Sequence, residues 1–150
     1  MIKYICILIT FIALTSCNGD SSYQKKIPGW YTVEQQLDGG KLSGKITYYK
    51  NGALKLVATF NSESVNNISL GITVIMKGTW EVENGFLKEK IKEVIATPQE
   101  LGDKLFAELK KEENNSKGDE IIEVNKEHLK VKNSKGEITV YKRTNQESIK

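Results

Sequence analysis

The 150-residue sequence is poor in the residues that most often carry chemistry: it has two cysteines, one histidine and two prolines. A single histidine, His128, excludes a metal site built from several imidazoles. The sequence also lacks a Gly-x-Ser-x-Gly elbow, a Walker motif and a dinucleotide fingerprint, which are common signatures of hydrolases and nucleotide-binding enzymes. We therefore predict no catalytic residues, no metal ligands and no cofactor, and interpret the chain as a non-enzymatic protein.

A strong charge of one sign is also lacking. Lysine and arginine together number 22 and aspartate and glutamate 19, which gives a formal net charge of +3. The basic residues are scattered, and all except Arg143 are lysines. Because nucleic-acid-binding proteins concentrate positive charge on one face, we expect no nucleic-acid partner.

The one long apolar run lies in the N-terminal segment MIKYICILITFIALTSCNGD. Lys3 precedes a run from Tyr4 to Leu14, which has the length of a secretory h-region and is shorter than the ~20 residues that span a bilayer. Residues 14–17, Leu-Thr-Ser-Cys, resemble the lipobox of bacterial lipoproteins. The resemblance implies a signal peptide over residues 1–16 and lipid on Cys17. The alternative is an ordinary signal peptide in which the cysteine falls at this place by chance.

Such a lipid would anchor the protein to a membrane of the bacterial cell envelope. Asn18 differs from the aspartate that retains enteric lipoproteins at the inner membrane, so in a host with two membranes the outer membrane is preferred. With Cys6 in the signal peptide and Cys17 acylated, no disulfide can form, and stability must come from a packed core. Residues 17–28 are polar and aperiodic, and we interpret them as the lipidated cysteine and a flexible tether.

Residues 29–144 form one predicted domain, followed by a polar tail over residues 145–150. Strand patterns dominate the domain, above all ISLGITVIMKGTWEV, in which even-numbered residues are almost all apolar. This run is long for one strand, so we expect a bend near Gly71 or Gly78. Asn-Gly pairs at residues 51–52 and 84–85 predict tight hairpin turns.

One helix is predicted over residues 98–112, where a capping box and an apolar stripe coincide. Leu105 and Phe106 in that stripe are expected to cap a barrel mouth or pack on its wall. The segment DGGKLSG, residues 38–44, predicts a turn. About eight strands joined by short turns avoid free edges by closing on themselves. We therefore predict a mainly β fold, an antiparallel up-and-down meander barrel with one helix before its last three strands.

Over residues 28–144 the sequence resembles the bacterial lipocalin-like lipoproteins. The resemblance rests on Gly29-Trp30, on GTWEVENGFLKEKI and on EIIEVNKEHLKVKNSKGEITVYKR. In lipocalins a tryptophan of the first strand packs against an arginine near the last, so the resemblance implies barrel closure by Trp30 and Arg143. It also implies that the barrel binds a small apolar or amphipathic molecule.

Four large side chains are the candidates for ligand contacts inside the barrel: Tyr48, Phe60, Met76 and Trp80. Eight strands enclose only enough room for side chains or for one small ligand. Two functions therefore remain open. The protein either carries a ligand in its interior or, with a filled core, acts as a structural lipoprotein that contacts another envelope component.

The strand FLKEKIKEVIA has no cleanly apolar face, because Glu89 and Glu93 share a parity with Leu87 and Ile91. One explanation is a strand whose polar groups line a wet lumen, where the two carboxylates would contact a ligand. The other is an edge strand kept soluble by its charges. We favour the edge strand.

Overall fold

The computed structural model describes residues 19–37, 40–62, 71–97 and 99–145. The predicted signal peptide, Cys17 and residues 146–150 lie outside these ranges. The described strands and helices, in chain order, are α1 (residues 19–26), β1 (Gly29–Leu37), β2 (Gly40–Tyr48), β3 (Ala53–Ser62), β4 (Gly71–Glu83), β5 (Phe86–Ala96), α2 (Gln99–Asn115), β6 (Asp119–Val124), β7 (His128–Lys132) and β8 (Ile138–Thr144). Neither helix, over its described residues, combines the length and hydrophobicity that a membrane crossing requires.

The strands form a closed antiparallel barrel in which each strand pairs with its neighbours in the sequence. The seam closes where Trp30, Tyr31 and Thr32 of β1 pair with residues 142–144 of β8. This architecture confirms the predicted up-and-down barrel and the helix before its last three strands. The helix α2 ends at Asn115, three residues later than predicted.

The barrel has two different ends. At the α1 end, where β1 and β5 begin, the interior is packed with side chains that are at most 1 % exposed, among them Tyr31, Ile46, Tyr48, Leu129 and Val131. At the α2 end, Phe106 and Leu109 pack against Val74 and Val94 on the inner face of β4 and β5. The helix α2 therefore covers one wall of that end, as predicted for Phe106. The side chain of Leu105 lies outside the described residues.

Residues 19–26 form a helix, so the prediction of a flexible tether is wrong for the part of it that the structure describes. Ile27 is completely buried, and Tyr23 packs against the same core cluster. Burial of this kind, at about 25 cal/mol per Å² of apolar surface, favours the ordered state over a solvated tether.

Polar contacts also hold α1 in place. The two carboxylate oxygens of Asp20 accept hydrogen bonds from the backbone N–H groups of Asn84 and Gly85, each at 2.7 Å. The amide oxygen of Gln24 accepts another from the backbone of Val82 at 3.0 Å. These contacts satisfy backbone donors at the β4–β5 turn that would otherwise need water. The helix α1 therefore closes its end of the barrel.

The predicted bend at Gly78 is present as a β-bulge between β4 and β5. Lys77 pairs with Glu93, whereas Gly78 pairs with Ile91, which leaves Lys92 as the extra residue of β5. A side chain at position 78 would place its Cβ 2.1 Å from the carbonyl oxygen of Lys90. Only glycine permits this approach of the two backbones.

The bulge reverses the inward parity of β5. Leu87 and Ile91 face inward before it, and Val94 and Ala96 face inward after it. This reversal explains why the strand shows no single apolar face in the sequence.

The segment predicted as a turn, residues 38–44, is largely strand, because β2 begins at Gly40. Gly44 pairs with Val33 and is buried beside it, with its would-be Cβ only 2.9 Å from the Val33 Cγ1 atom. The glycine therefore serves close packing and not a turn. The two Asn-Gly turns are confirmed, with φ of 82° at Gly52 and of 54° and 79° at Asn84 and Gly85.

Candidate ligand-binding site

The barrel wall has few paired residues between β5 and β6. Within the described residues these strands pair only at Phe86 and Leu87. On its side away from β4, the rest of β5 contacts α2, and Gly118 lies against Leu87 and Lys88. Gly118 has a φ of 91°, and a Cβ there would come within 2.5 Å of the Leu87 carbonyl oxygen. A glycine is therefore required where the chain passes close to β5.

Two cavities meet at this part of the wall. The inner one has a volume of about 200 Å³ and is lined by Leu87, Glu89, Ile91, Leu109, Ser116, Gly118, Asp119 and Tyr141. The outer one has a volume of about 530 Å³, and its lining includes Trp80, Glu89 and the lysines Lys88, Lys90 and Lys110. Glu89, Ser116 and Gly118 line both cavities, and Glu89 is the ionisable group at their junction.

An aromatic layer lies beside Glu89. Tyr48 packs edge-to-face against Tyr31, with ring centroids 5.7 Å apart, and against Trp80, with centroids 5.5 Å apart. The indole N–H of Trp80 donates to the Tyr49 carbonyl oxygen at 3.0 Å. Such pairs satisfy the polar tips of buried aromatic rings and fix their orientation. The three rings belong to the packed core cluster of the barrel.

The Tyr48 hydroxyl donates a hydrogen bond to the Glu89 carboxylate. Glu89 lies on the inward face of β5, and its side chain is exposed to solvent in the cavities. Burial raises the pKa of Glu89 above the usual range, the Tyr48 hydrogen bond lowers it in part, and the charge of Asp119 raises it further. Partial burial also raises the pKa of Asp119. Both carboxyls are therefore held in surroundings that disfavour their charged forms.

The tyrosine hydroxyls at the site stay protonated at neutral pH. Burial, together with the negative charges of Glu89 and Asp119, raises the pKa of Tyr141 above its usual value. Burial and the carboxylate of Glu89 likewise raise the pKa of Tyr48 well above its usual value. Each hydroxyl can therefore donate one hydrogen bond and accept others.

Of the four predicted ligand contacts, the structure places Trp80 at the outer cavity and Tyr48 behind it, in contact with Glu89. Met76 packs in the α2-end cluster, and Phe60 lies half-buried between Leu42 and Ile72 in the β2–β3–β4 register. Neither Met76 nor Phe60 is among the described residues that line the two cavities.

Our interpretation of β5 as an edge strand is wrong for Glu89, which faces inward, whereas Glu93 faces outward and pairs with Lys77 at 2.8 Å. The bulge separates the two carboxylates onto opposite faces. Sequence reasoning also missed Asp119 and Tyr141. Asp119 lies just after the end of α2, and nothing in the sequence around it indicates that its side chain faces a cavity.

Arg143 lies at the barrel seam, as predicted, but contacts Tyr31 and not Trp30. Its guanidinium lies 4.8 Å from the Tyr31 ring centroid and donates to the Tyr31 hydroxyl at 2.6 Å. It also donates to the carbonyl oxygens of Lys26, at 2.7 Å, and Pro28, at 3.0 Å. Trp30 is on the opposite face of β1, since adjacent strand residues alternate. The seam arginine therefore joins α1 to the barrel.

A closed eight-stranded up-and-down barrel is consistent with a lipocalin-like fold. No family model matches the chain, and no curated protein matches it. Among the described residues, no group of three or more histidine, cysteine, aspartate or glutamate side chains is placed to hold a metal ion.

Proposed function

We propose that this protein is a non-enzymatic, lipid-anchored binding protein of the bacterial cell envelope that holds a small apolar or amphipathic molecule in its barrel. The observation that supports this proposal is an interior filled only in part. Tyr31, Tyr48 and Ile46 fill the α1 end, whereas a cavity of about 200 Å³ is lined by residues of β5, β6, β8 and α2. Function follows from such a site and not from the fold itself.

The cavity wall combines apolar and polar groups in the way that small-molecule sites do. Leu87, Ile91 and Leu109 offer apolar surface whose burial by a ligand is worth about 25 cal/mol per Å². Leu42, Phe60 and Ile72 are cross-strand neighbours on the inner face of β2, β3 and β4, and each is half-buried. They extend the apolar surface toward the α2 end, where a longer ligand would lie.

The lipid anchor is supported by the Leu-Thr-Ser-Cys motif at residues 14–17. Two or three acyl chains give stable membrane anchoring, whereas one does not. Expression with an alkyne analogue of palmitate is expected to label the wild-type chain and to leave Cys17→Ala unlabelled. Cys6→Ala is the matched control and keeps its label, because that cysteine is removed with the signal peptide. Equal labelling of wild type and Cys17→Ala would refute the anchor.

Ligand binding is tested by native mass spectrometry of the purified full chain and by Nile red fluorescence. A co-purifying small mass and dye uptake are expected. Leu109→Asp places a charge in the apolar wall and is expected to weaken dye binding about tenfold. Ala107→Asp adds the same charge at an exposed position of α2 and is expected to leave binding unchanged.

The second candidate is a structural or interaction lipoprotein that contacts another envelope component. It is favoured by three exposed apolar side chains on β6 and β8: Ile122 is 41 % exposed, Ile138 54 % and Val140 43 %. Large exposed apolar patches mark interaction surfaces, so a contact with another component is expected on this side of the barrel. A clean apo mass with no dye uptake would support this candidate over the carrier.

A further inference from the structure

The polar groups of the inner cavity share one chemical character, because they are acids or hydroxyls. The carboxyls of Glu89 and Asp119 line it together with the hydroxyl of Tyr141, and the described lining residues include no basic side chain. Among the described residues, neither the Asp119 carboxyl nor the Tyr141 hydroxyl has a hydrogen-bond partner. Glu89 accepts a hydrogen bond from Tyr48, and the cavity still offers the remaining oxygen atoms of its lining as acceptors.

On the basis of the binding function proposed above, we propose that the inner cavity binds the ammonium group of an amphipathic amine. The ammonium group lies between Glu89 and Asp119, and the carbon chain lies against Leu87, Ile91 and Leu109. Each of the ammonium hydrogens can be donated to a carboxylate or hydroxyl oxygen of the lining.

A positive head group suits the site better than the alternatives. A fatty-acid carboxylate would place a third negative charge beside two carboxyls, which like-charge repulsion disfavours. An alcohol can form hydrogen bonds but leaves the charge of the two acids uncompensated. The three lysines Lys88, Lys90 and Lys110 line only the outer cavity, so the inner cavity keeps its acidic lining.

Several titratable side chains face or flank Glu89 and contribute to any dependence on pH. They are Tyr48 on β2, Asp119 on β6, Tyr141 on β8, Lys110 on α2, and Lys88 and Lys90 on β5 itself. The raised pKa values of Tyr48 and Tyr141 keep both hydroxyls neutral at pH 7, whereas the pKa values of Glu89 and Asp119 are raised from the ordinary carboxyl range.

The test uses three probes of equal chain length: octylammonium, octanol and octanoate. Each is titrated into the purified full chain by isothermal titration calorimetry at pH 7. We expect octylammonium to bind about tenfold more tightly than octanoate. Glu89→Gln removes the charge with little change of shape and is expected to weaken octylammonium about tenfold while octanol changes less than about twofold. Glu93→Gln, the same change on the outward face of β5, leaves all three affinities unchanged.

The pH dependence gives a second measurement. Because the pKa of Glu89 is raised in the folded protein, octylammonium affinity is expected to increase as pH rises through the range in which this group ionises. The ligand-free protein behaves oppositely. Over the same range its native state binds more protons than the unfolded state, so its stability falls as pH rises. Glu89→Gln is expected to weaken both dependences on pH, that of the octylammonium affinity and that of the stability of the ligand-free protein.

The outcomes separate the ligand class from the carrier function. Octanoate binding as tightly as octylammonium, or an unchanged octylammonium affinity in Glu89→Gln, overturns the amine proposal. Octanol binding without any preference for the amine overturns it too but leaves the carrier function standing. If none of the probes binds, both proposals fail. Should Glu89→Gln not fold, Asp119→Asn provides the same comparison.

Discussion

Gly78→Ala is expected to lower the free energy of unfolding by about 3 kcal/mol. The new Cβ would meet the Lys90 carbonyl oxygen at 2.1 Å and the Lys90 carbonyl carbon at 2.9 Å. These are backbone atoms of the neighbouring strand, and they can move only if the β4–β5 ladder distorts. Urea unfolding followed by the fluorescence of Trp80, which is 3 % exposed, measures the effect.

Gly44→Ala is the matched control for this change. Gly44 also faces inward and is buried, but its nearest obstacle is Cγ1 of Val33, a side-chain methyl group. A side chain moves more easily than a ladder, so we expect a cost of about 1 kcal/mol. Equal costs for the two variants would show that the bulge tolerates a side chain and would contradict the explanation given for Gly78.

Arg143→Met is also expected to cost about 3 kcal/mol, because it removes hydrogen bonds from a charged donor and leaves their acceptors with poorer partners. The lost contacts are those to the carbonyl oxygens of Lys26 and Pro28, to the Tyr31 hydroxyl and to the Tyr31 ring. Methionine retains much of the apolar stem of arginine, so the lost free energy of unfolding comes mainly from the contacts of the guanidinium group. Chemical denaturation measures the cost.

Amide hydrogen exchange distinguishes the role of Arg143 from a general loss of stability. Since the arginine holds the C-terminal end of α1, we expect residues 20–27 to lose protection before β2 and β3 do. Lys142→Met changes an exposed neighbour and is expected to alter stability by less than about 0.5 kcal/mol. Uniform loss of protection in Arg143→Met would mean that α1 does not depend on this residue.

The barrel could be predicted because residue patterns within single strands and turns indicate most of its elements. Even-numbered apolar residues of β4 identify the inner face, and Asn-Gly pairs place two hairpins. A meander of such strands has few ways to avoid free edges, so closure follows from strand number. Gly78 could be predicted as a bend for the same reason, since a glycine in a long strand has a limited set of uses.

The site could be predicted only in part, because its geometry depends on pairing between strands. The bulge at Lys92 decides that Glu89 faces inward while Glu93 faces outward, and nothing in β5 alone specifies where the extra residue falls. Tyr48 and Trp80 were accessible to prediction as large side chains of inward parity. Asp119 and Tyr141 are distant from these residues in the sequence and come near them only when the strands close into a barrel.

The helix α1 was missed for a different reason. Asp20, Tyr23, Gln24 and Ile27 have the i, i+3, i+4, i+7 spacing of one helical face. Two of these residues contact the barrel through hydrogen bonds and two through apolar packing. A search for apolar periodicity finds only half of such a face, so the segment looked like a tether.

The firm attachment of α1 determines how an acylated protein would stand on its membrane. Only Asn18 separates Cys17 from the described helix, and two fully extended residues reach at most about 7 Å. The α1 end would then rest close to the head groups, and the α2 end would point into the aqueous space. A ligand would arrive from the aqueous side, delivered by diffusion or by another protein, and would not pass straight up from the lipid layer below.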